Sequence, residues 1–411
     1  MPIRRTRYTD FVKGVLKSLI GKDMTKMTLP VSFNEPTSLL YRNCEDMEYT
    51  DLLDLAVERT DSIERMIYVA AFATSEFASA LGRVAKPFNP LLGETYEYVR
   101  PDKGYRFFTE QVSHHPPIGA AWAEAENWTY WGESNVKSKF TGKSFDINHL
   151  GTWFLRLRPA AGGKEDYYTW KKVSQSVIGI ITGNPTVDNY GPIEIKNWTT
   201  GETALLDFKA RGWKASSAYH ITGRIVDSDG KTRVSMGGRW NSRLYARITP
   251  GYEADVDAPA KESSKEIYKG SMTDPTRAYL VWQANPRPEK IPFNLTPFAV
   301  TFNHLDDHLR PWIAPTDSRL RPDQRAMEEG EYDFAATEKN RLEENQRARR
   351  REREQMGQEF VPAWFTKSKC EITGQPFWQF NGKYWERRDE AGPEGSPEKA
   401  WEGLEPVFND R

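Results

Sequence analysis

Glu110-Gln-Val-Ser-His-His-Pro-Pro117 reads as the end of a β-strand. Neighbouring residues on a regular strand face opposite ways. Two successive prolines cannot donate to a ladder, and the first also forces His115 into an extended conformation, so pairing stops here. Two imidazoles, His114 and His115, are thereby presented at a rim. Rim histidines suit an oxyanion, because each offers N–H donors and a nearby phosphate raises the protonated fraction. A capped strand end with structurally hydrogen-bonded histidines explains the same residues, and both readings stand at this point.

On either side, residues 86–310 have the texture of many short strands. Aromatic and β-branched runs such as Trp128-Thr-Tyr-Trp131, Gly151-Thr-Trp-Phe-Leu-Arg-Leu157 and Val177-Ile-Gly-Ile-Ile-Thr182 alternate with turn residues, as in an antiparallel barrel or sandwich. Helical patterning covers about residues 45–82, and a charged helix is expected over 323–354, followed by an aromatic tail ending near Trp401. In residues 10–20, Phe11, Val12, Val15, Leu16, Leu19 and Ile20 form one apolar stripe opposite Lys13 and Lys17. That segment is too short to be helical alone in water and must dock on something apolar. Residues 251–264 read as a surface loop within the sheet region. With no fixed-period repeat and no low-complexity linker, one composite unit is expected.

Composition narrows the function. Lys+Arg number 57 against 58 Asp+Glu, a net charge of −1, which argues against nucleic acid as a partner. No window approaches the roughly 18 consecutive apolar residues of a membrane-spanning helix, so any membrane contact is expected to be peripheral. Two distant cysteines, Cys44 and Cys370, allow at most one disulfide and fit a reducing compartment. No apolar stretch follows the charged start, and a cytosolic protein is expected.

Two further segments carry candidate chemistry. In Lys86-Pro-Phe-Asn-Pro-Leu-Leu-Gly-Glu94, two prolines and a glycine set the path of Lys86 and Asn89, as a phosphate-binding turn requires, although an ordinary loop has the same look. Lys339, Glu343 and Arg347 are four apart and lie along one helix face over about 12 Å. Their plain reading is a pair of i,i+4 salt bridges, and Arg349, Arg350, Arg351 and Arg353 read as a solvated basic face. Other motifs fail. Phe140-Thr-Gly-Lys-Ser144 has Lys137 where a P-loop needs its first glycine. His304-Leu-Asp-Asp-His308 lacks the glutamate of a zinc-hydrolase helix, so no metal is expected. Ser113-His114 diverge on a strand and have no nucleophile elbow, so no esterase is expected.

Together the octet at 110–117, the segment at 86–94 and the late helix bearing Lys339, Glu343 and Arg347 resemble the oxysterol-binding protein family, with further likeness in Ile20-Gly-Lys-Asp-Met-Thr-Lys-Met-Thr-Leu-Pro30, Phe33-Asn-Glu-Pro36 and residues 314–325. The likeness covers about residues 12–390. It implies an α+β fold: a near-complete antiparallel β-barrel with a central lipid tunnel, an N-terminal lid and flanking helices. In those terms residues 1–411 form one lipid-binding unit, with a lid at 1–30, a helical segment at 31–85, the barrel at 86–310 and a C-terminal helical subdomain and tail at 311–411. The lid would carry Phe11, Val15, Leu16, Leu19, Ile20 and Leu29. The likeness implies a non-enzymatic lipid-transfer protein without cofactor, which binds phosphatidylinositol 4-phosphate and, in exchange, a sterol, at organelle membranes and membrane contact sites. Phosphatidylserine is the alternative counter-cargo, and a fixed lipid sensor or scaffold is the alternative role. Lys86, Asn89, His114, His115, Lys339 and Arg347 would surround the headgroup, with Glu343 bonding within the cluster and to the inositol. A monomer is expected, as the lipid-binding piece of a longer protein.

Overall fold

Strand β12 (Thr203–Phe208) shows how the wall is built. Ala204, Leu206 and Phe208 are buried and their neighbours half-buried, the period-two pattern of a strand with one face on a core. The computed structural model describes residues 30–180, 182–248, 278–392 and 395–409. Among these, fourteen strands form one antiparallel sheet: β3 (Thr95–Arg100), β4 (Tyr105–His114), β5 (Pro117–Ala125), β6 (Trp128–Phe140), β7 (Phe145–His149), β8 (Trp153–Leu157), β9 (Asp166–Trp170), β10 (Ser174–Ile178), β11 (Thr186–Asn197), β12, β13 (His220–Val226), β14 (Thr232–Arg239), β15 (Arg243–Arg247) and β16 (Tyr279–Gln283). The order runs from β16 back to β10, then β7 to β3. Strands β8 and β9 branch off, because the first half of β6 pairs with β8 and the second half with β7. The backbones crowd at that fork: a Cβ on Gly151 would stand 2.0 Å from the Glu133 carbonyl oxygen, so only glycine fits.

Edge strands β3 and β16 do not pair with each other, and aromatic rings close the seam. Tyr96 of β3 meets Tyr41 at 4.2 Å, Tyr98 meets Phe298 at 5.3 Å, and Trp282 of β16 meets Tyr49 edge-on at 5.4 Å. The barrel is therefore near-complete, as the α+β reading expected. Its helices do more than flank it. α1 (Leu39–Cys44), α2 (Asp51–Val57) and α3 (Ser62–Ser75) share one core with inward residues of the wall, including Phe107, Tyr130, Leu155, Leu206 and Trp282. Eleven of the fourteen residues of α3 are buried, as in a helix packed on all sides. Asp61 caps it by accepting from the Glu64 amide at 3.0 Å, and Arg65 pairs with Asp166 of β9 at 2.5 Å.

The outer face of β4 and β5 is also covered. Phe108 points away from the barrel core and stacks on Tyr384 at 3.8 Å, within a cluster containing Trp364, Phe365, Phe380, Trp385 and Trp401. This cluster joins a hairpin of β17 (Phe365–Lys369) and β18 (Pro376–Phe380) to α6 (Lys383–Glu390) and α7 (Pro397–Ala400). The C-terminal part is thus not only helical. Two further expectations are corrected. Residues 34–38 are not helical but form β1 (Asn34–Ser38), which pairs in parallel with β2 (Lys86–Phe88). The last described barrel strand ends at Gln283, short of residue 310, where Pro286, Pro288, Pro292 and Pro297 cannot donate to a ladder. α4 (Pro322–Glu328) and α5 (Tyr332–Met356) complete the elements, and α5 stops at Gly357, whose φ of 63° is left-handed. Cys44 and Cys370 are buried free thiols. The expected lid residues Phe11, Val15, Leu16, Leu19, Ile20 and Leu29, and the loop at 251–264, lie outside the described residues.

Candidate functional site

The segment 86–94 is pinned from both ends. The Asn34 side-chain amide donates to the Lys86 and Pro87 carbonyls at 3.1 and 3.3 Å, fixing the β2 end. Buried Glu94 turns back to accept from the Leu91 amide at 2.8 Å and from Arg321 at 2.9 Å. Arg321 is itself buried, pairs with Asp323 at 2.7 Å, and donates to the Asn89 carbonyl at 2.9 Å. The backbone then docks on β4, with the Gly93 amide donating to the Gln111 carbonyl at 3.0 Å and the Gln111 amide to Glu94 at 2.8 Å. That junction lies three residues before His114, so it brings Lys86 and Asn89 beside the strand end.

β4 stops at His114 and β5 starts at Pro117, which pairs with His114 across a tight turn. His115 is exposed, His114 is half-buried, and their rings lie 4.7 Å apart. From the other side, the Gln346 amide of α5 accepts from the Leu92 N–H at 2.8 Å and donates to His114 Nε2 at 2.8 Å. One side chain thus ties all three motifs together. Burial first, and then His115, push the His114 pKa down to about 4, against the pull of the Pro90 carbonyl and Glu343. The imidazole is therefore neutral near pH 7.

On the same face of α5, buried Lys339 pairs with Glu343 at 2.8 Å. Arg347, half-exposed, pairs with the other Glu343 oxygen at 3.5 Å and with Glu344. Lys86 feels burial and then Lys339, which push its pKa down to about 8, while Glu343 pulls it up. Two ammonium groups, a guanidinium and two imidazoles thus converge around one carboxylate. A group near −2, such as a phosphomonoester, is what such a cluster can hold, since charge-assisted bonds from fixed donors are the strong ones. Among the described residues no group of three or more His, Cys, Asp or Glu could hold a metal. A cavity of about 720 Å³ bounded by Val99, Arg106, Val300, Leu309, Trp385 and Arg388 lies beside β3 and takes in none of these residues.

Gln346, Arg321 and Glu94 were missed as positioning residues. Gln346 was visible in principle, seven residues after Lys339 and three after Glu343 and so on the same stripe. Arg349 is a correction: it is not solvated but buried, donating to the Pro406, Val407 and Asn409 carbonyls.

The family model for oxysterol-binding protein matches residues 11–389. The chain is 54 % identical over 375 residues to oxysterol-binding protein homolog 2 of Saccharomyces cerevisiae and 50 % identical over 377 residues to homolog 1, matching 91 % of this chain in each case. It spans only 29 % and 32 % of the length of those relatives. Against human oxysterol-binding protein-related protein 6 the identity is 40 %, over 92 % of this chain and 38 % of that protein. In three dimensions it resembles the Osh1 ORD domain in complex with cholesterol, with TM-score 0.84 and 52 % identity over 93 % of this chain and 89 % of the other. It also resembles the Osh3 ORD of Saccharomyces cerevisiae in complex with PI(4)P, with TM-score 0.75 and 27 % identity over 96 % and 95 % of the two chains. This chain therefore belongs to the oxysterol-binding protein family, a family of lipid-binding and lipid-transfer proteins rather than enzymes.

Proposed function

We propose that this chain carries one lipid at a time, taking phosphatidylinositol 4-phosphate by its headgroup and exchanging it for a sterol at the cytosolic faces of organelle membranes. The convergence of Lys86, Lys339, Arg347, His114 and His115 around Glu343 carries this reading. Lys86 and Lys339 neutralise the phosphate, and His115 and Asn89 donate to it. His114 donates once the phosphate has raised its protonated fraction and Nε2 has exchanged the Gln346 bond for a proton. Glu343 releases its cations to the phosphate while turning to an inositol hydroxyl. That a sterol-bound and a PI(4)P-bound domain share this fold supports both cargoes. A sterol crossing water exposes several hundred Å² of apolar surface, about 10 kcal/mol at ~25 cal/mol per Å². Enclosure by the barrel, with residues 1–30 as its lid, removes that cost. Exchange follows because both lipids need the same volume.

The test is the double variant His114→Ala, His115→Ala, assayed for extraction of each lipid from vesicles. Loss of phosphoinositide extraction with sterol extraction largely kept is expected. Undiminished phosphoinositide extraction would refute the assignment.

A further inference from the structure

Trp213 stands clear of the protein, with a relative exposure of 107 %, on the connection from β12 to β13. Its surroundings read Lys209-Ala-Arg-Gly-Trp-Lys214, three cations and no carboxylate. The turn is braced. The Arg211 amide donates to Asp188 Oδ2 at 2.8 Å and the Gly212 amide to Ser217 Oγ at 2.9 Å, while Ser217 donates its hydroxyl and amide to the Lys214 carbonyl at 2.7 and 3.0 Å. These bonds shape a projecting turn and give the indole no partner in the core, although tryptophan is on average highly buried.

Strand direction says where this turn lies. β4 runs toward His114. Antiparallel pairing through β5, β6, β8, β9 and β11 makes β6, β9 and β12 run the same way. The β12–β13 turn and the β6–β7 hairpin tip are therefore on the rim where β4 presents the two histidines. That hairpin adds exposed Lys137, Lys139 and Lys143. With Asp146, Asp188 and Asp207 set against them, the latter paired with Lys209, six cations on these turns outnumber three carboxylates.

An indole whose N–H stays wet and whose rings leave water suits the headgroup layer of a bilayer, and neighbouring cations add attraction to anionic lipid. We infer that Trp213 is an interfacial anchor, inserting into an anionic bilayer while Arg211, Lys214 and the lysines of the β6–β7 hairpin lie over the lipid phosphates. The inference rests on the proposed function, in which this rim must meet the membrane to pass a headgroup. It adds a contact that holds the rim there independently of the cargo.

Cosedimentation with phosphatidylcholine vesicles, with and without phosphatidylserine and free of phosphoinositide, tests it. Trp213→Ala should weaken binding to both vesicle types roughly seventyfold, since about 100 Å² of indole no longer leaves water. Trp213→Phe should recover most of the binding. Lys214→Gln should weaken binding about fivefold, and only where phosphatidylserine is present. Wild-type binding by Trp213→Ala would overturn the anchor, and the indole would then belong to a protein contact. The histidine variant separates the two readings. If it fails to extract phosphoinositide yet binds these vesicles normally, the headgroup site stands whatever Trp213 does. If it extracts normally while Trp213→Ala loses vesicles, the headgroup reading falls and the anchor stands.

Discussion

Lys86 and Gln346 carry the sharpest consequences at the level of single residues. Burial and Lys339 depress Lys86 to about 8, so in the free protein its charge is lost as pH rises through that value. A bound phosphate favours the charged form, so headgroup affinity should fall roughly fivefold between about pH 8 and 9 as binding must recover the proton. Lys86→Met should bind more weakly and show a flat profile there, and an unchanged slope in that variant would place the titration elsewhere. For stability the sign is opposite: the depressed lysine costs the free fold most below about pH 8 and nothing above its ordinary value. Gln346→Leu should leave the Leu92 N–H and His114 Nε2 unpaired, costing about 1–3 kcal/mol in urea unfolding and lowering headgroup affinity. Both losses are needed, because a purely structural glutamine would lower stability alone. The histidines, Lys86 and the Lys339–Glu343–Arg347 face were legible in sequence because each sits in a local pattern of prolines or helical spacing. Gln346 shares their helix stripe, but its role was not legible, because its partners lie 254 and 232 residues away and only the packing of α5 reveals them.

Between residue and fold, Glu110 is the most exposed to test among contacts linking elements. It opens the octet, yet its carboxylate accepts from the Ala363 and Trp364 amides at 2.9 and 3.0 Å, docking the segment that leads into β17. Burial raises its pKa to about 7 despite those bonds. A raised carboxyl stabilises the fold fully below its ordinary value near 4.5, and that contribution is lost as pH rises through about 7. The stability advantage of wild type over Glu110→Gln should therefore shrink by on the order of 2 kcal/mol between about pH 5 and 8. A constant difference would mean that the carboxyl does not titrate in the fold. Headgroup binding should be little changed in this variant, since Glu110 serves the C-terminal hairpin. At this scale the sequence showed the strand region and the charged helix through their periods. It hid the β17–β18 hairpin, because Thr366-Lys-Ser-Lys369 is polar and becomes a strand only against Pro376–Phe380. It also hid that α3 belongs to the barrel core, since an all-round buried helix has no amphipathic stripe to announce it.

For the molecule as a whole, the wall of fourteen strands and the aromatic seam make a container, and the rim between β4 and α5 gives it a charged mouth. The octet made the family legible because few folds need two histidines and two prolines at one strand end. Cargo was less legible, because the tunnel-facing residues come from many strands and no local pattern marks them. The central claim is that one volume serves two lipids in turn, and it is tested by loading the protein with a fluorescent sterol and adding vesicles that contain phosphatidylinositol 4-phosphate. Sterol release should match phosphoinositide uptake mole for mole, and it should disappear in the His114→Ala, His115→Ala variant. Full occupancy by both lipids in the same protein molecule, with no sterol released, would contradict the account.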